Sequence, residues 1–256
     1  MAKKKYKDTD SLEYNIIQPW SNPVIQFRLP AGILKELRKV YKYTMSNNPK
    51  DYGDNLVGQI VEEPQVSNEI QNKFPEWINF CLSAVEEYCN LSQKQICVAQ
   101  PKLYKDYQKQ QIMSKITTMW FVNQKPNEYN PAHVHTGCKV SSVVYLQTPK
   151  KQIKSIKKHH DTDGKITFIN NCGTDLNFSI AQATFTPKAG DMYIFAANQQ
   201  HMVWPYRSKD PHDSRISMSF NADVTTEEKL KKENEQFEIM SKLMKERNKG
   251  KTDGKK

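Results

Sequence analysis

Residues 215–222 read RISMSFNA, and their alternation decides the fold. In an extended chain successive side chains point to opposite faces, so Arg215, Ser217 and Ser219 share one face while Ile216, Met218 and Phe220 share the other. Upstream, the same period of two recurs from about residue 96 in ICVAQPKLYKDYQ, IMSKITTMWFVNQ, KVSSVVYLQ, KITFI, ATFTP, DMYIF and QHMVWPY, broken by Pro, Gly, Asn and Asp. Eight such runs call for a sandwich or barrel rather than βαβ units. A chain of 256 residues accommodates one core of this kind with appendages.

Before residue 96 the period is helical. After Pro30, AGILKELRKVYKYTM sets Ile33, Leu37, Val40, Tyr41 and Thr44 on one face with basic residues opposite. PEWINFCLSAVEEYC does the same with Ile78, Cys81, Leu82, Val85, Tyr88 and Cys89, and Pro75 and Glu76 suit its first turn. Both helices are expected to pack on a sheet. After Asp223 a Lys- and Glu-rich helix is expected to run to about Arg247. Its sparse stripe of Leu230, Phe237, Met240 and Met244 suits a sheet edge or a homodimer partner.

The net charge of +10 is concentrated: residues 1–10 carry +2, residues 149–165 carry +4 and residues 226–256 carry +3. Charge runs of this sort read first as solvated tails and loops. They leave a polyanionic partner open, but no base-reading motif supports nucleic acid. Five cysteines, odd in number and without CxxC spacing, read as reduced thiols packed in a cytoplasmic protein. No apolar run approaches the length of a membrane span.

Three of the six histidines lie beside β runs, His133 and His135 in NPAHVHTG and His201 in QQHMVWPY. Residues two apart on a strand share a face, so His133 and His135 can reach one metal, and His201 from another strand closes a facial triad. HxH alone is a weak motif, because paired strand histidines are more often surface or supporting residues than ligands. Arg215 and Ser217 strengthen it. A guanidinium inside a barrel is costly unless an anion meets it, and its planar fork suits a carboxylate.

Together, HxH, the later histidine in GDMYIFAANQQHMVWPY, and RISMSFNAD, with KVSSVVYLQTP between, resemble the 2-oxoglutarate/Fe(II)-dependent oxygenase superfamily, in particular its branch in phages and marine bacteria. The resemblance spans roughly residues 112–223. It implies a mainly β fold with flanking helices, built on a double-stranded β-helix (jelly-roll or cupin-like) core. Along the chain, charge and periodicity give a basic disordered tail at 1–12, helical support at 13–95, the catalytic core at 96–223 and a charged helix and tail at 224–256. The resemblance also implies a dioxygenase, by default a hydroxylase, using Fe(II), 2-oxoglutarate and O2.

By position, the family's metal histidines fall on His133 and His201, its cosubstrate arginine on Arg215 and the companion hydroxyl on Ser217. The place usually held by Asp or Glu falls on His135, which leaves the metal site one charge more positive. Asn123 and Tyr145 are softer candidates for 2-oxoglutarate contacts, and Trp120 and Trp204 for the substrate cavity. Cys138 reads as a packed thiol, and His159, His160 and His212 as solvated. Peptidyl or polyanionic substrates are both compatible, the latter through KKQIKSIKKHHDTDGK at the site mouth. A phage-encoded copy would work in the host cytoplasm. Three other functions stay open at this point: a three-histidine zinc hydrolase or hydratase, a cupin-like dioxygenase without 2-oxoglutarate, and a non-catalytic basic binding module.

Overall fold

The structure is a computed structural model, and it describes residues 13–17, 23–96, 112–157, 161–170, 181–232, 234–236 and 239–241. Among the described residues ten strands form two antiparallel sheets. The larger has the order β1 (Glu13–Ile17), β2 (Val24–Arg28), β8 (Asp191–Ala196), β5 (Val140–Gln147), β10 (Arg215–Thr226) and β3 (Ile112–Gln124). The smaller has the order β4 (Asn130–His133), β9 (His201–Val203), β6 (Ile166–Ile169) and β7 (Gln182–Phe185). This is the two-sheet core of a double-stranded β-helix.

The pleat sorts side chains into two cores. Met119 and Phe121 of β3, Met192 and Ile194 of β8, and Met218 and Phe220 of β10 face outward and join the cluster made with the helices. Tyr193 and Phe195 point inward with Val143 and Tyr145, and meet Ile166, Phe168 and Val203 of the smaller sheet. Burying one apolar face on helices and the other on a second sheet leaves β5 and β8 almost wholly buried, as their near-continuous hydrophobic runs demand.

Helix α1 (Ala31–Ser46) buries Leu37, Val40 and Thr44, with Ile33 and Tyr41 packed at the margin of the cluster. Helix α3 (Pro75–Ile96) contributes Cys81, Val85 and Tyr88 as expected, and also Trp77 and Ala84. A short α2 (Asn68–Lys73) is capped by the Ser67 hydroxyl, which accepts from the Ile70 amide. No described helix is long and apolar enough to cross a membrane.

Three local features differ from the sequence reading. The segment expected as helical support also supplies β1 and β2, because VIQFR alternates and pairs with β8 from Val24↔Phe195 to Arg28↔Asp191. β10 continues past Asp223 to Thr226, held by pairing with β3 out to Ile112, so helix begins only at residue 227. The run ICVAQPKLYKDYQ lies mostly outside the described residues, as do Phe237 and Met244 of the terminal stripe.

β3 is not the last extended segment of the larger sheet. Residues 62–66 run antiparallel along its outer edge, with Phe121 N–H donating to Pro64 O at 2.9 Å and Asn123 N–H donating to Glu62 O at 3.0 Å. Residues 50–52 run along 62–66 in turn, with Tyr52 N–H donating to Glu63 O at 2.9 Å. The cavity wall therefore extends two segments beyond β3.

Candidate active site

β4 and β9 are short, and their pairing does one thing of consequence: it sets His133 directly opposite His201. His135 follows two residues after β4, its amide held by Ala197 O at 2.9 Å. Gly137, at φ 71°, then turns the chain back into β5, a conformation that glycine adopts without steric penalty. The ring centroids are 4.3 Å apart for His133–His201, 5.3 Å for His133–His135 and 5.2 Å for His135–His201. One nitrogen from each ring lies within 4.8 Å of the others.

The hydrogen bonds fix which nitrogens are free. His133 Nδ1 lies 2.7 Å from Pro131 O, and His201 Nδ1 lies 2.9 Å from Gln199 O. A carbonyl only accepts, so both Nδ1 atoms carry the proton and both Nε2 atoms present lone pairs, the arrangement a metal-binding imidazole needs. Burial holds His133 and His201 below the usual histidine range, His201 also through its two neighbours. His135 is pushed down to about 4 by burial and by His133. Three neutral imidazoles with converging lone pairs fit a divalent ion. Among the described residues no carboxylate joins them.

The rings open on a cavity of about 460 Å³ between the sheets, whose wall includes Arg215, Ser217, Tyr145 and Gln124. Arg215 is 2 % exposed, and its guanidinium donates to Gly164 O at 2.7 Å and to the Gln124 side-chain oxygen. The Tyr145 ring faces it at 5.8 Å. Burial lowers the Arg215 pKa from its ordinary value, but it keeps its charge, and no carboxylate pairs with it among the described residues. An unpaired buried cation costs several kcal/mol. The Tyr145 hydroxyl beside it is also buried, with no hydrogen-bond partner among the described residues. This end of the cavity fits a carboxylate.

Of the residues singled out from sequence, His133, His135, His201, Arg215, Ser217, Tyr145 and Trp120 all line the cavity. Asn123 does not. On β3 the even positions Trp120, Val122 and Gln124 face inward, so Asn123 faces the helices, where its side chain reaches Tyr41. Gln124 was missed, although alternation from Trp120 leads to it. Trp204 is also outside the wall, its indole N–H donating to the Thr167 hydroxyl at 2.8 Å. Cys138 is a half-buried free thiol away from the wall, and His212 is exposed.

The described part of the lysine loop does not line the cavity. Asp213 accepts its amides at Lys150 and Lys151, and its far end supplies the Gly164 carbonyl to Arg215, so it closes the arginine end of the cavity. His159 and His160 lie outside the described residues.

Residues 118–221 match the family model described as "Putative 2OG-Fe(II) oxygenase". The core of this chain is that of a 2OG-Fe(II) oxygenase. Fe(II) and 2-oxoglutarate are its cofactors and O2 its co-reactant, which selects the first of the four functions left open by the sequence. No curated protein matches the chain. Among solved structures the oxygenase resembles a prolyl-4-hydroxylase from Pseudomonas putida, at 12 % identity over 78 % of this chain and 92 % of that one, with a TM-score of 0.44. It also resembles a Trichoplax adhaerens prolyl hydroxylase in complex with a hypoxia inducible factor peptide fragment, at 13 % identity over 82 % and 83 %, TM-score 0.47. A third, the carbocyclase SnoK from nogalamycin biosynthesis, aligns at 9 % identity over 79 % and 81 %, TM-score 0.47.

Proposed function

We propose that this oxygenase hydroxylates a C–H bond of a substrate held in the cavity, with His133, His135 and His201 as the iron ligands and Arg215, Ser217 and Tyr145 binding 2-oxoglutarate. The observation that carries the proposal is the buried, unpaired guanidinium of Arg215 on the same cavity wall as three converging neutral imidazoles. When bound, the metal and cosubstrate supply the oxidising chemistry, in which 2-oxoglutarate loses CO2 to give succinate and one oxygen atom goes to the substrate. The chain supplies orientation. Arg215 takes the distal carboxylate, Gln124 and Gly164 O hold its fork in plane, and the Ser217 and Tyr145 hydroxyls donate to the same carboxylate. Phe195, Ile166 and Val203 line the wall with apolar surface and keep water from the reacting groups.

For the substrate, a peptidyl side chain suits the entrance better than a polyanion. Val57 and Val134 at the rim are 52 % and 45 % exposed, apolar surface on which flanking residues could rest, whereas no lysine lines the described wall. Anaerobic titration of the apoprotein with Fe(II) and then 2-oxoglutarate tests the assignment. A saturable visible charge-transfer band is expected in the wild type. It should be lost in Arg215→Ala with iron retained, and iron itself should be lost in His201→Ala. A band unchanged in Arg215→Ala would overturn it.

A further inference from the structure

One carboxyl on the cavity wall has no part in the chemistry above. Trp120 pairs with Gln65, and the register places Glu63 opposite Val122 on one side and opposite Tyr52 on the other. Val122 pairs with Ser217, and Ser217 with Tyr145. Tyr52, Glu63, Val122, Ser217 and Tyr145 thus form one transverse row across five neighbouring extended segments, and all five line the cavity. Cross-strand partners share a face, so the Glu63 side chain belongs to the inner wall. Strand spacing puts its backbone roughly 10 Å from that of Ser217, at the opposite end of the row from the cosubstrate groups.

Glu63 is 1 % exposed, and among the described residues neither carboxyl oxygen has a hydrogen-bond partner. A buried acceptor left without a donor calls for an explanation. Burial raises its pKa to about 7, and repulsion from Asp51 and Glu128 adds to the shift. Glu63 is the only carboxyl and Arg215 the only guanidinium of the described wall, which has no lysine. Arg215 is taken by the cosubstrate.

The surroundings of Glu63 favour a cation over a neutral donor. Tyr52 packs on Trp120 with ring centroids 5.4 Å apart, and Trp120 lies 6.1 Å from the His135 ring. Aromatic rings neighbouring a buried carboxyl are the chemistry that holds ammonium and guanidinium groups. The Asn130 side-chain oxygen adds an acceptor: a Cβ on Gly58 would lie 2.2 Å from it and 3.5 Å from Glu63 Oε1, so one donor group could bridge the two. Gly53 and Gly58 lie close to the carboxyl, a Cβ on Gly53 falling 3.5 Å from Glu63 Oε2.

We infer that Glu63, with Tyr52 and Trp120, is the specificity-determining site of this oxygenase, and that its substrate carries an ammonium or guanidinium nitrogen. The inference rests on the proposed function, since it takes the arginine end as the cosubstrate's. Residues 53–58 shift to admit the cation, Glu63 ionises against it, and the carbon chain of the substrate lies towards the histidines.

Calorimetric titration of the Fe(II)- and 2-oxoglutarate-loaded protein under anaerobic conditions tests this, using butylammonium and butylguanidinium against butanol and butyrate. The cations should bind at least about tenfold tighter than either comparison compound, the scale of one charge-assisted hydrogen bond. Glu63→Gln should abolish that preference, Glu63→Asp should keep part of it, and Tyr52→Leu should reduce it without touching the carboxyl. Equal binding of all four compounds, no binding of the cations, or a preference that survives Glu63→Gln would each overturn the inference. The charge-transfer band separates the two ideas: a normal band without cation preference defeats only the inference, and a missing band defeats the proposed function.

Discussion

Gln124 shows how a single side chain conditions the site without touching a reacting atom. Its amide oxygen accepts from Arg215, while its amide nitrogen donates to Glu128 O, so the guanidinium fork is held from behind. Removing a hydrogen bond to a charged group costs about 1.5–3 kcal/mol, so Gln124→Ala should weaken 2-oxoglutarate binding roughly 10- to 100-fold in the band titration. Asn123→Ala, one residue away on the opposite face, should leave that binding unchanged. The pair also shows what was legible from sequence. Trp120 and Asn123 cannot both face inward on a regular strand, and choosing Trp120 implies Gln124. Glu63 was not legible, because nothing in VEEPQV announces that it runs along β3; only the hydrogen bonds from Phe121 and Asn123 place it there.

Among the elements, α3 depends most on one residue. Trp77 is fully buried at its start and stacks on Phe80 at 5.8 Å, yet its indole N–H has no partner among the described residues. Trp77→Ala should cost about 3–5 kcal/mol, read by denaturant unfolding. Trp77→Phe, which keeps most of the volume and removes the unsatisfied N–H, should cost much less. The helix itself was readable from its period of 3.6, but Trp77 was not chosen for its face because the sequence fixes spacing and not the rotation of a helix on its sheet. β1 was likewise missed, since its pairing with β2 is what gives EYNII a reason to be extended.

For the molecule as a whole, Glu63 sets a pH dependence that runs against the usual carboxylate case. Its folded pKa of about 7 lies above that of an unfolded glutamate, so the folded state holds its proton over a range where the unfolded chain has released it. Stability from this group is full below about pH 4, falls as pH rises through the folded value, and is flat above it. Glu63→Gln should therefore raise the unfolding midpoint at pH 8 by a few degrees, corresponding to on the order of 1–2 kcal/mol after allowance for solvent screening, and by little at pH 4. A larger gain at pH 4 than at pH 8 would contradict the burial of an unpartnered carboxyl. The two-sheet core and its histidines were legible at this scale because alternation and HxH are local patterns, whereas the cover formed by residues 50–66 is a long-range arrangement.

β10 carries both tasks of the fold on one backbone, with Arg215, Ser217 and Ser219 in the cavity wall and Met218 and Phe220 in the helix-facing core. A saturation scan along these positions should consequently sort into two alternating phenotypes. Changes at 215 and 217 should yield protein that accumulates normally and has lost its ligand, and changes at 218 and 220 should yield protein that fails to accumulate, so that abundance and ligand occupancy, plotted along the strand, trace the pleat out of phase.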